Sequence, residues 1–330
     1  MPVRIHALSL ISAALAFAFP MAGQAAASTP VPEAWVVVDG MLRSGTAGIS
    51  ITQNVGSLSL AKSGEASRGG SGVDNYAQFL SQDGAVQATL YIYLPSYADA
   101  SLAAYMTDKA IMDRFGAKTR LSAYEAVDVA GQNNGAIRAV YDDAADGALT
   151  TAAAFVHAGR WLAKIRITGP TDRRDEVLAG IDAMLSSLRF DDVASIHSSR
   201  IVNYPACGQG GHIPQQGSER FCVRNRIETA DGSYEMLQAQ GVKGESVIVP
   251  VDDMGTVLAF DRSTGDKGFR LSIHSIGQTD IYGVYDRLPG AKEIAAILDG
   301  KDPRIAQASR TMDHAANGDV TVRQPRAKTR

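Results

Sequence analysis

Cysteine is nearly missing from this chain of 330 residues: Cys207 and Cys222 are its whole complement. Their spacing is far from C-x-x-C and no second ligand pair stands beside them, which argues against a redox-active or metal-binding pair, the alternatives to a disulfide. Also missing are a G-x-S-x-G elbow, an H-E-x-x-H pair, a Walker loop and a G-x-G-x-x-G turn, so the familiar starting points for catalysis are absent. Among the six histidines, His157 and His274 end strands and His197 and His314 lie in polar segments. None forms a ligand pair at helical or strand spacing, and neither metal nor cofactor is expected. Charge of one sign is not in excess either. Lys and Arg number 32 against 35 Asp and Glu, for a net charge of -3 and a pI near 6.1. That balance gives no electrostatic case for nucleic acid or an anionic membrane. Beyond the N-terminus, no apolar run approaches the ~20 residues of a membrane span.

What is present is an ordinary globular balance, 45% hydrophobic and 20% charged, over a length that accommodates two domains without a cystine or metal staple. Arg4 and His6 precede an apolar run from Ala7 to about Ala22, and Ala25-Ala26-Ala27 offers an A-x-A cleavage site. Residues 1–27 therefore read as a signal peptide. An uncleaved membrane anchor is the alternative, opposed by the shortness of the run, by Pro20 and by the lack of a basic flank after it. No transmembrane span is expected after cleavage, and the mature protein is expected to be periplasmic or secreted. In an oxidising compartment Cys207 and Cys222 are expected to pair, and closing a loop of ~15 residues stabilises by roughly 3 kcal/mol in the chain-entropy account.

The stretch Asn134 to Phe190 organises the rest. From Trp161 to Thr168 the residues alternate as a strand does, with Trp161, Ala163, Ile165 and Ile167 inward and Lys164, Arg166 and Thr168 toward water. Ala158-Gly159 joins it to a strand from about Thr150 to His157 as an antiparallel hairpin. Gly169-Pro170-Thr171-Asp172 ends the pair and supplies a helix N-cap. Val177, Leu178, Ile181, Met184, Leu185 and Leu188 then fall on one stripe of the following helix.

Residues 28–33 read as a linker. After them come strands near Trp35 to Val38, Ile49 to Ile51 and Leu58 to Leu60. Tyr76 to Leu80 and Val86 to Leu94 flank the turn signal Asp83-Gly84. Gln87, Thr89, Tyr91 and Tyr93 share one face of the second, so Tyr91 and Tyr93 are candidate binding residues, or members of an ordinary outer face. A helix is expected from Ser96 to Phe115, followed by strands at about Arg120 to Val129 and Ala136 to Tyr141. Few helices, placed in this way, argue an α+β fold in which an antiparallel sheet is covered by two helices. In its strand Val86 to Leu94, helix Ser96 to Phe115, hairpin Thr150 to Thr168 and helix Thr171 to Leu188, the chain resembles the PsbP-like fold. That fold occurs in the photosystem extrinsic subunit and in small bacterial envelope proteins, some of which chaperone secreted partners. The resemblance spans about residues 34–192 and implies a binding or assembly role. No functional residue is carried over by it, because no family motif is matched residue by residue.

Polar residues at 193–199 suggest a linker, and 200–298 reads as a smaller β-rich domain of short strands ending in a helix near Ala291 to Leu298. Residues 299–330, with Arg323, Arg326, Lys328 and Arg330 in the last ten, read as a disordered basic tail. Asp142 to Gly147 has two features of a calcium loop but Ala144 and Ala153 at ligand positions, and reads as a hairpin loop. The least ordinary segment is Cys207-Gly208-Gln209-Gly210-Gly211-His212. Its glycines expose backbone N–H groups, and His212 with Arg220, Arg224 and Arg226 is placed to bind an anion or act as acid or base. A surface loop tied down by a cystine is the competing reading. Three functions remain open: a non-catalytic envelope protein that binds or assembles another envelope protein, a hydrolase using the His212 loop, and a purely structural envelope component.

Overall fold

Alternating apolar residues become strands nearly everywhere the sequence suggested. The computed structural model describes residues 34–67, 71–208, 220–230, 232–240, 246–262 and 268–324, so the expected signal peptide lies outside the described residues. In chain order the elements are β1 (Trp35–Val38), β2 (Met41–Ser44), β3 (Ile49–Thr52), β4 (Asn54–Val55), β5 (Leu58–Glu65), β6 (Asp74–Ser81) and β7 (Gln87–Tyr93). Next come α1 (Ala100–Phe115), β8 (Arg120–Val129), β9 (Gln132–Asp143), a one-turn α2 (Ala144–Gly147), β10 (Leu149–Ala158), β11 (Trp161–Pro170), α3 (Arg174–Ser187) and β12 (Arg189–Phe190). The remainder holds β13 (Arg220–Glu228), β14 (Ser233–Gln240), β15 (Ser246–Pro250), β16 (Val257–Arg262), β17 (Phe269–Ser275), β18 (Gln278–Tyr285), α4 (Ala291–Leu298), β19 (Arg310–His314) and β20 (Val320–Arg323).

Three antiparallel sheets result: β1-β2-β3-β12, then β4-β5-β6-β7-β11-β10-β9-β8, then β13 to β20 in sequence order. The fold is thus sheet-rich α+β. Gly159 turns the β10–β11 hairpin at a φ of 59°, and the register Ala158↔Trp161 to Leu149↔Pro170 follows from it. On one face of β11, Ala163, Ile165 and Ile167 pack against Val177, Ile181, Met184 and Leu185 of α3. The approach is close: a Cβ at Gly180 would stand 2.5 Å from Ile167 Cδ1. The expected cap on this helix is not made. Thr171–Arg173 forms a 3-10 turn with no side-chain cap, and Thr171 Oγ1 donates instead to Gly147 O at 2.7 Å.

The second helix corrects the expected cover. Ala100, Ala103 and Ala104 of α1 pack with Phe155, Ala153, Ile137 and Leu162, on the face opposite α3. Its other side places Leu102, Tyr105 and Met106 against Phe221, Leu237, Ile248 and Val257 of the third sheet. The two helices therefore lie on opposite faces of the second sheet, and with three sheets present the expected single sheet covered by two helices is only part of the architecture. The helix α1 lies between two sheets, because it carries a small-residue stripe as well as the large one read from sequence. It also starts later than expected, at Ala100, because the Asp99 carboxylate accepts from Ser101 N and Leu102 N and so fixes the N-terminus.

Two further expectations change. Residues 193–199 are not a free linker: Ile196 bridges Ala158, His197 N donates to His157 O and Ser199 N to Asn134 O. Nor is the described part of the tail disordered. β19 pairs with β18 and β20 with β19, and backbone pairing orders a segment whose side chains bury little. α4 closes the far face of the third sheet with Ile294, Ile297 and Leu298 over Leu258, Phe260 and Leu271. Among the described residues no helix is long and apolar enough to cross a membrane.

Candidate functional site

The seam between the second and third sheets is built around an ammonium that the strand pattern assigned to water. Lys164 lies on the α1 side of β11, and its side chain is only 1% exposed because the β15–β16 connection covers it. Its Nζ donates to Asp253 Oδ2 at 2.5 Å and to Asp253 O at 2.8 Å. Burial pulls the ammonium below its usual range while Asp253 opposes that shift. Burial raises the half-buried Asp253 carboxyl, but Lys164 and Arg166 outweigh it and hold the group below its usual range. A buried charge persists only when paired in this way.

Beside this pair, five stretches wall a cleft of about 660 Å³, one of them the segment after β5 with Ala66, Ser67 and Ser71. The others are Val73 with the start of β6 (Asp74), the β15–β16 connection (Asp252, Met254), the β17–β18 turn (Ile276, Gln278) and the last hairpin (Asp313, His314, Thr321, Arg323). Chain crossings hold the rim: Pro95 bridges Ile276, and Ser96 Oγ donates to Ser275 O at 2.8 Å and Gln278 O at 2.7 Å. Asp252 Oδ1 accepts from Met254 N and Thr256 N, both at 2.9 Å. The Asp313 carboxylate takes Arg323 Nη2 at 2.6 Å and Nε at 2.5 Å. Asp74 has no such partner among the described residues, and burial together with neighbouring Glu65 pushes its carboxyl up to about 6. Burial also lowers His314, with Arg160 adding to the effect. A smaller hollow of about 150 Å³ lies between α1 and the third sheet, at Tyr105, Lys109 and Glu235.

The expected site residues do not converge. Tyr93 is wholly buried, beneath Met254 and Ile276 rather than on an open groove, and half-buried Tyr91 packs in the same cluster. The reason is tertiary: the third sheet covers the face that they share. Arg224 stands exposed on β13, in another sheet, with Nη1 on Gln238 Oε1 at 3.3 Å. His212 lies outside the described residues. Cys207 and Cys222 are joined as a disulfide with Cα atoms 4.9 Å apart. His157 and His197, far apart in sequence, stack with ring centroids 4.1 Å apart. Sequence reasoning missed Lys164, Asp253, Asp252 and Asp74. Asp252-Asp253 read as turn residues between strands, and the one available signal was a pair of acids inside an otherwise apolar β15–β16 run.

No family model and no curated protein sequence matches the chain. Among solved structures it is similar to the solution structure of cyanobacterial PsbP (CyanoP) from Synechocystis sp. PCC 6803. The identity is 17%, the match covers 51% of this chain and 98% of that one, and the TM-score is 0.34. A partial PsbP-like resemblance is thus present in the structure as in the order of elements.

Proposed function

We propose that the protein is an exported, non-catalytic binding module that engages another envelope protein through the cleft between its second and third sheets. The observation that carries this reading is the cleft itself. At about 660 Å³, with Val73, Met254 and Ile276 beside a few polar groups, it has the size and mixed lining of a ligand site. The PsbP-like order of elements pointed toward binding or assembly, and that expectation enters here as part of the proposal. A periplasmic or secreted location fits the Cys207–Cys222 disulfide, which an oxidising compartment sustains. Mature protein recovered from its native envelope should then begin near Ser28 by mass spectrometry; an intact Met1 would remove export from the reading.

Two variants test the site. Thr321 lines the cleft on an exposed strand, so Thr321→Trp fills the space without disturbing a core. It should fail to complement a deletion strain while melting like the parent protein. His212→Ala should complement fully. The opposite pair of results would move the function to the glycine-rich cystine loop.

A further inference from the structure

We propose that the cleft receives an alkylammonium or guanidinium cation, with Asp74 as its carboxylate partner and Asp252 as the second acid of the wall. This rests on the reading of the cleft as the binding site and names the chemistry that the site takes.

The acids around the cleft each have a partner among the described residues until Asp74 is reached. Asp313 is held by Arg323, Asp253 by Lys164, and Glu65 accepts from Ser67 Oγ and Gly72 N. The Asp252 carboxylate caps its own turn through two backbone N–H groups. Asp74 alone among the wall's acids has neither a cation nor a hydrogen bond among the described residues, and its charged neighbour, Glu65, repels it. The half-buried Asp74 carboxylate is left to water alone, and a cation brought into the cleft would give it the partner it lacks.

A second unmatched polar group lies beneath the cleft wall, under Met254 and Ile276. Tyr93 faces Asp74 across the β6–β7 ladder, and directly opposed residues project to the same side of a sheet. The Tyr93 hydroxyl is fully buried and has no hydrogen-bond partner among the described residues. Burial, then Asp253, Asp252 and Asp74, all disfavour its ionisation, so it is a neutral hydroxyl in a negative surround. Of the cations near the wall, Lys164 is held by Asp253 and Arg323 by Asp313, and burial, then Arg160, biases His314 toward its neutral form. Val73, Met254 and Ile276 supply the apolar wall along which the methylene stem of a lysine or arginine lies while its head reaches an acid. The volume exceeds that of one side chain, so flanking backbone is accommodated too.

Three probes decide the matter on the full mature protein, followed by calorimetry and by amide shifts of Ile276 and Gly277: capped Ala-Lys-Ala, capped Ala-norleucine-Ala and cadaverine. The lysine peptide should bind and the norleucine peptide should not. Asp74→Asn should weaken lysine binding about tenfold or more, as expected for loss of a charged hydrogen-bond partner, and Asp74→Glu should restore it. Cadaverine binding as well as the lysine peptide would assign the cation to a free amine; cadaverine failing would assign it to a peptide side chain. Equal binding of lysine and norleucine peptides, or undiminished binding by a folded Asp74→Asn variant, would overturn the cation while leaving the cleft as a site. Silence from all three probes, with no cleft amide moving, would overturn both.

Discussion

Lys164 occupies a strand position whose neighbours at Arg166 and Thr168 are half-exposed, yet it is sealed in by Asp253 from a connection 89 residues later. Truncating one member of such a pair leaves an uncompensated charge. Lys164→Met should therefore cost about 3 kcal/mol in urea unfolding, whereas Lys164→Met with Asp253→Leu should recover most of it. A double variant no better than the single one would show that the pair is not coupled. His157 gives a pH prediction. Burial, then His197, brings its folded pKa from 6.5 down to about 4, so between those values the unfolded chain binds more protons. Stability is then present above 6.5 and is lost as pH falls through 4. Asp74, raised from 3.8 to about 6, works in the opposite sense over much the same range, so the two are separated by variant. His157→Phe keeps the stack and should flatten the loss between pH 7 and 5, measured by denaturant melts at each pH. An unchanged slope would locate acid sensitivity elsewhere.

At the scale of elements, α3 behaves as its periodicity indicated. Five of the six stripe residues, Val177, Ile181, Met184, Leu185 and Leu188, are buried, and Leu178 packs at the margin. Leu185→Ala should cost on the order of 2 to 5 kcal/mol in equilibrium unfolding, the range for a truncated buried leucine. A cost below about 1 kcal/mol would mean that the site collapses without a cavity. The face of α3 was legible because one stripe meets one sheet. The helix α1 was half legible: its large residues marked one side, but Ala100, Ala103 and Ala104 give no contrast in hydropathy that separates a second buried face from an indifferent one. The strand β20 was illegible for a related reason. Val320 and Val322 remain exposed, and what orders the segment is the backbone ladder to β19, to which side-chain pattern is blind.

For the molecule as a whole, α1 shares its two sides between two sheets, and the Lys164–Asp253 pair crosses the same seam. Unfolding should accordingly be one cooperative event, with equal calorimetric and van't Hoff enthalpies. A chain ended at residue 199 would expose Leu102, Tyr105 and Met106 and should bind a hydrophobic dye or aggregate. A soluble fragment melting like the full protein would show instead that the boundary read near 193–199 separates independent domains.

The amino-acid sequence by itself determined most strands, the β10–β11 hairpin, the inner face of α3 and the pairing of the only two cysteines. Each depends on spacing over a few residues or on elimination. Tertiary structure alone decided that Tyr93 and Lys164 are buried, that α1 faces two ways and that Asp74 is left, among the described residues, without a partner beside a cleft. Those outcomes depend on which distant segment lies across an outward face, and local alternation is the same whether that face meets water or another sheet.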